Sequence, residues 1–140
     1  MRNYLSTGQE RLPVMNICIM IVDDDRDDIE FFVEAVAAIE PNIQCASAKN
    51  GLEALQLITS GAVVPDYIFV DLNMPKMGGK QFIQELRKDN SFTNVKIIVY
   101  STSKLEKDVK EVKSLGATEF IKKPTSFDGL QRDISDIIFG

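Results

Sequence analysis

The chain reads as an α/β domain, a doubly wound parallel sheet of five strands with helices on both faces. Three observations carry that reading. Five short apolar runs, at 17–22, 43–48, 67–70, 95–100 and 118–121, alternate with five segments of helical periodicity, the pattern of right-handed βαβ crossovers. Runs such as Ile68-Phe69-Val70 and Ile97-Ile98-Val99 are apolar throughout, as strands covered on both faces are. Four of the runs end abruptly in polar residues: Asp23-Asp24-Asp25, Asp71, Ser101-Thr102 and Lys122-Lys123-Pro124.

Each element has a local cause. After the first strand, Ile29, Phe32, Val33, Val36 and Ile39 recur at helical spacing, and Glu40-Pro41 closes that helix because the residue before proline disfavours the helical region. The second strand is shorter and alternating. Asn50, with Glu53 three residues on, predicts a capping-box start to helix 2. Leu52, Leu55 and Ile58 form its expected apolar face, and Gly61 ends it. Helix 3 is expected over 80–88 with Phe82, Ile83 and Leu86 inward. Ser103 and Glu106 predict a second capping box opening helix 4, with Leu105, Val109, Val112 and Leu115 as its face and Gly116 as its stop. Thr125 is the expected cap of helix 5, which turns Phe127, Leu130, Ile134 and Ile137 inward.

Residues 16–140 read as one domain, long enough to bury a core without disulfide or metal staples. Residues 1–15 are polar and patternless and read as a disordered extension or appended leader, with Met15 as a possible native start. The net charge of −5 argues against nucleic-acid backbone binding. No apolar run approaches the roughly 20 residues of a membrane span, and no signal-peptide core is present. Cys18 and Cys45 lie in strand-like runs and are expected to be reduced core residues of a cytoplasmic protein. Histidine is absent, which removes histidine-based acid–base catalysis and histidine metal ligation.

In a parallel sheet all strands point their C-terminal ends one way. That rim collects Asp23 and Asp24, Asp71, Ser101 with Thr102, and Lys123, where open α/β sheets bind their ligands. Clustered carboxylates repel by roughly 4 kcal/mol per pair at ~4 Å and an effective dielectric of ~20. A cation in the cluster relieves that repulsion, and all-oxygen ligation selects Mg²⁺, Mn²⁺ or Ca²⁺. Metal, ammonium and hydroxyl together suit the oxygens of a phosphoryl group in transfer, and an aspartate can be its acceptor. Asp71 is the best candidate, standing alone on its strand between the acid pair and the lysine.

The segments IVDDD at 21–25, FVDLNMPKMGG at 69–79, VYST at 99–102 and EFIKKP at 119–124 stand in an order and spacing that resemble the receiver domains of two-component response regulators, the CheY-like family. The resemblance covers about 16–140. It implies the flavodoxin-like strand order 2-1-3-4-5. It implies Asp71 as phosphoacceptor, and Asp24, Asp71 and the backbone carbonyl of Asn73 as ligands of Mg²⁺ (Mn²⁺ could substitute), with Asp23 acting through water. It implies Lys123 as the lysine that pairs with the phosphate, followed by a cis bond to Pro124. Ser101, flanked by Thr102, corresponds to the switch hydroxyl, and Phe120 to the rotating aromatic. It further implies a single-domain response regulator: a histidine kinase or histidine phosphotransfer protein as donor, an unknown downstream protein as target, and a possible homodimer through the helix 4–helix 5 face. Such a protein catalyses only its own phosphorylation and dephosphorylation.

Other readings stand beside this one. The acidic turn at 23–28 could be a solvated helix cap. An EF-hand loop fails there because Asp28 occupies the glycine position and a strand precedes it. A small aspartate-nucleophile phosphatase of the haloacid dehalogenase type would also use carboxylates, Mg²⁺ and lysine, and a phosphorylation-independent binding module could use the same fold. A flavin mononucleotide binder lacks its phosphate loop after strand 1.

Overall fold

A computed structural model describes residues 16–140; the expectations for residues 1–15 lie outside the described residues. The elements are β1 (Cys18–Val22), α1 (Arg26–Ile39), β2 (Gln44–Ala48), α2 (Gly51–Thr59), β3 (Tyr67–Val70), α3 (Gly79–Arg87), a short 3-10 turn (Asn90–Phe92), β4 (Lys96–Ser101), α4 (Glu106–Leu115), β5 (Glu119–Lys122) and α5 (Phe127–Phe139). The strands form one parallel sheet in the order β2-β1-β3-β4-β5. Both the fold class and the strand order are those expected. No helix among the described residues is long and apolar enough to cross a membrane.

The strand faces divide the core in two. Met20, Val22, Ile68, Val70, Ile97 and Val99 pack with Ala54, Ile58, Phe82, Ile83, Leu86 and Val112 on the α2–α3–α4 side. Ile19, Ile21, Phe69, Ile98 and Tyr100 pack with Phe32, Ala35, Val36, Leu130 and Ile134 on the α1–α5 side. Burial of apolar surface on both faces is the main term holding the sheet. Cys18 is buried, Cys45 is half-buried, and both are free thiols.

Several local expectations are corrected. The Ser103–Glu106 box does not form: Leu105 is the N-cap residue of α4 and no side chain caps it. A cap stabilises by only about 1 kcal/mol, and α4 is placed instead by buried Val112 and by Lys80, whose Nζ reaches Asp108 at 2.9 Å and Glu111 at 2.8 Å. The cap of α5 is Ser126, one residue past Thr125; its Oγ accepts from the Gly129 N–H. Asn50 caps α2 as expected, but Glu53 reaches back to the Lys49 N–H instead of that of Asn50. Leu52 and Leu105, assigned to apolar faces, are exposed, because Ala54, Ile58 and Val112 are the residues those helices bury. The Lys123–Pro124 bond is trans, and no cis peptide bond occurs among the described residues. Trans is the intrinsically favoured isomer before proline by about 0.5–1 kcal/mol.

The loop after β3 is held from two sides. Lys76 (φ 50°) and Met77 (φ 80°) adopt left-handed backbone without being glycine, at a cost on the order of 1–2 kcal/mol each. Their carbonyls accept from the Leu52 and Gly51 N–H groups, donors that a helix N-terminus otherwise leaves unpaired. On the other side Gly79 N–H donates to the Leu72 carbonyl, and a Cβ on Gly79 would lie 2.5 Å from the Asp71 carbonyl oxygen. In an open helix, alanine in place of glycine would gain about 1 kcal/mol; here the contact with backbone prevails. Gly79→Ala is therefore expected to lower stability by about 1–3 kcal/mol, read as a reduced urea midpoint at unchanged slope.

Candidate functional site

Strand ends build the site. Asp23 follows β1 and its N–H donates to the Ala48 carbonyl of β2; Asp71 follows β3 and its N–H donates to the Val22 carbonyl of β1. These ladder bonds carry the sheet's regularity one residue beyond the strands and bring both carboxyl groups to one place. Asp23 is fully buried, Asp71 nearly so, and Asp24 is exposed. Carboxylate oxygens of Asp23, Asp24 and Asp71 all lie within 4.8 Å of one another. Asp25 caps α1, its Oδ1 accepting from the N–H groups of Asp27 and Asp28.

Lys123 brings the positive charge to the acids. Its N–H donates to the Ser101 carbonyl at 2.7 Å, which ties the β5 end to the β4 end. Its ammonium donates to Asp23 Oδ2 at 2.7 Å and to Asp28 Oδ2 at 2.9 Å, and lies 3.9 Å from Asp71 Oδ2. It also sits 5.3 Å from the centre of the buried Tyr100 ring. Ser101 ends β4 with its side chain buried, and Thr102 beyond it is exposed. Phe120 lies on β5 opposite Val99 and packs in the α2–α3–α4-side core. Asn73 is exposed in the β3–α3 loop, Lys122 is exposed, and Pro124 is half-buried beside Lys123.

The fold thus gathers Asp23, Asp24, Asp71 and Lys123 and sets Ser101 on the neighbouring strand end, whereas Phe120 belongs to the core. Asp28 and Tyr100 were missed by sequence reasoning. Asp28 reaches Lys123 across 95 positions of sequence, and Tyr100 looks like any apolar strand residue; neither carries a local signal.

One ammonium cannot neutralise three carboxylates. Desolvation pushes the Asp71 carboxyl up to about 6; Lys123 works against this, and Asp23 adds to it. Asp23 is also raised, again by desolvation, with its hydrogen bond from Lys123 opposing. Burial acts to lower the Lys123 ammonium, but its hydrogen bonds with Asp23 and Asp28 prevail and the net shift is upward. Burial pushes the Tyr100 phenol up to about 12. The excess of buried negative charge, together with three oxygen donors within reach of one point, fits a hard divalent cation such as Mg²⁺ or Mn²⁺.

The sign of the Asp71 shift sets a pH dependence. Between the ordinary value of 3.8 and about 6 the folded chain holds this proton more tightly than the unfolded chain. The contribution of Asp71 to stability in EDTA therefore falls as pH rises through that window and levels off above it. Asp71→Asn removes the cost. It is expected to be more stable than wild type at pH 7 in EDTA by on the order of 1–3 kcal/mol, and the difference should close below about pH 4. Paired urea titrations across pH check both the sign and the window.

The chain is 34% identical over 108 residues to the sensor histidine kinase CheAY of Helicobacter pylori, spanning 77% of this chain and 13% of that protein. It is 26% identical over 108 residues to the polar-differentiation response regulator DivK of Brucella anthropi, spanning 77% and 85%. Across five of the curated relatives it matches, the chain spans between 12% and 49% of their length. Among solved structures, the phosphorylated cyanobacterial phytochrome response regulator RcpA has a TM-score of 0.79 at 27% identity, with 86% of this chain and 90% of that one covered. The family described as response regulator receiver domain matches residues 19–135. With five parallel strands in the order 2-1-3-4-5 and this rim of aspartates and lysine, the chain belongs to the response regulator receiver family.

Proposed function

We propose that this chain is a phosphorylation-operated switch in which Asp71 accepts a phosphoryl group from a phosphohistidine on a partner histidine kinase or phosphotransfer protein. The observation that carries the reading is the setting of Asp71: carboxylate oxygens of Asp23 and Asp24 lie within 4.8 Å of its own, and the Lys123 ammonium, held by Asp23, lies 3.9 Å away. None of these 140 residues is histidine, so the donor imidazole lies outside them.

An Asp71 carboxylate oxygen attacks phosphorus, the phosphorus–nitrogen bond breaks, and the donor imidazole leaves with the electron pair. Lys123 pairs with the transferring oxygens and orients them. Asp23, Asp24, Asp71 and the Asn73 backbone carbonyl would hold Mg²⁺ or Mn²⁺, which supplies charge neutralisation at those oxygens. Water later attacks phosphorus, the phosphorus–oxygen bond to Asp71 breaks, and inorganic phosphate leaves as the carboxylate returns. The chain thereby processes only its own phosphoryl group and turns over no external substrate.

The output is a population shift between two packings. The Ser101 hydroxyl, beside the site, donates to the phosphoryl group, and Phe120 adjusts within the core it shares with Val112 of α4. Reshaping of the α4–β5–α5 surface then changes what it binds. This reading sets the protein in the cytoplasm, within reach of its kinase.

Acetyl phosphate with Mg²⁺ tests the reading. One phosphoryl adduct by intact mass is expected on wild type and none on Asp71→Asn; an unmodified wild type refutes the acceptor assignment. Sustained hydrolysis of a phosphomonoester, lost on Asp23→Asn, would replace it with a phosphatase. Mg²⁺ alone is expected to raise the melting temperature of wild type and to have a much smaller effect on Asp71→Asn.

A further inference from the structure

Three carboxylates, those of Asp23, Asp28 and Asp71, lie within 4 Å of the Lys123 ammonium, and one of them does not come from a strand end. Asp28 lies in the first turn of α1 and its Oδ2 is 2.9 Å from the Lys123 Nζ. An ammonium has three protons to donate. Two are taken by Asp23 and Asp28, and Asp71 stands off at 3.9 Å. Lys123 does not need Asp28 to remain in place: the buried Asp23 holds it at 2.7 Å, the Tyr100 ring flanks it, and its side chain is 10% exposed. Asp28, by contrast, is 39% exposed and can give up its partner to water at small cost.

We propose that Asp28 is a positioning residue that occupies the Lys123 ammonium in the unphosphorylated chain and competes for it with an incoming phosphoryl group. The inference rests on the reading of Asp71 as phosphoacceptor. Asp28 makes and breaks no covalent bond. Phosphorylation exchanges one carboxylate partner of Lys123 for phosphoryl oxygens and returns Asp28 to solvent on the α1 surface. Asp28 also repels a dianionic donor as it approaches. Both effects act on donor engagement, so the residue sets the concentration of donor needed more than the rate at saturation.

The test uses the full chain with acetyl phosphate and Mg²⁺, following initial adduct formation by intact mass. Asp28→Asn is expected to be phosphorylated about three- to tenfold faster at subsaturating donor, through a lower half-saturating concentration and with little change in maximal rate. Asp28→Glu should stay near wild type. So should Asp27→Asn, which removes an exposed carboxylate from the same helical turn. The advantage of Asp28→Asn should shrink as salt is raised from about 0.01 M to about 1 M, where screening shortens from roughly 30 Å to 3 Å. In EDTA, the urea midpoints of Asp28→Asn, Lys123→Met and the double variant should be non-additive. A wild type that is phosphorylated alongside an Asp28→Asn variant that is no faster, or that matches Asp27→Asn, overturns this inference alone. A wild type that takes no phosphoryl group overturns the acceptor reading and this inference with it.

Discussion

The site depends on a charge imbalance: one ammonium, that of Lys123, set among the carboxylates of Asp23, Asp28 and Asp71. Burial magnifies it. Water that would screen the acids is excluded from Asp23 and reduced at Asp71, so their charged forms are disfavoured and their protons held more tightly. A folded protein keeps such an arrangement at a cost to stability. The cost falls on the groups that a cation would engage, so a cation that relieves it gains affinity from the relief. The rest of the fold can be understood as what holds the imbalance in place.

That support is almost entirely apolar and backbone. Two cores clamp the sheet from both faces, and the ladder continues one residue past β1 and β3 to aim Asp23 and Asp71. Lys123 is bound by its own N–H to the end of β4, independently of its side-chain contacts. The loop that follows Asp71 carries left-handed backbone at Lys76 and Met77, balanced by N–H groups at the start of α2. Strand β3 therefore ends in a segment with its own local tension, tied to a helix that contributes no acid to the site.

The corrected features share a cause. Helix caps are local preferences of about 1 kcal/mol, and tertiary packing overrides preferences of that size. Ser103 offers a cap, but α4 starts later, where Val112 reaches the core and Lys80 spans from α3 to Asp108 and Glu111. Leu52 satisfies the helical period, but Ala54 and Ile58 are the residues close enough to the sheet to be buried. Ser126 and Thr125 are both residues that cap helices well, and it is the Ser126 hydroxyl that accepts from the Gly129 N–H.

By itself the sequence determined the architecture, because five apolar runs separated by helical periods admit few arrangements. It also determined which strand ends carry acids and which carries the lysine, since residues that terminate a buried strand are legible without knowing what packs beside them. The strand order could be expected only through the family resemblance. Only the tertiary structure decided which acids share the lysine. Asp28 is three residues past a helix cap and looks like part of a solvated acidic turn. It reaches the site because the end of β5 brings Lys123 to it across 95 positions of sequence. Pairings over that distance follow from packing geometry, which no local pattern of residues records.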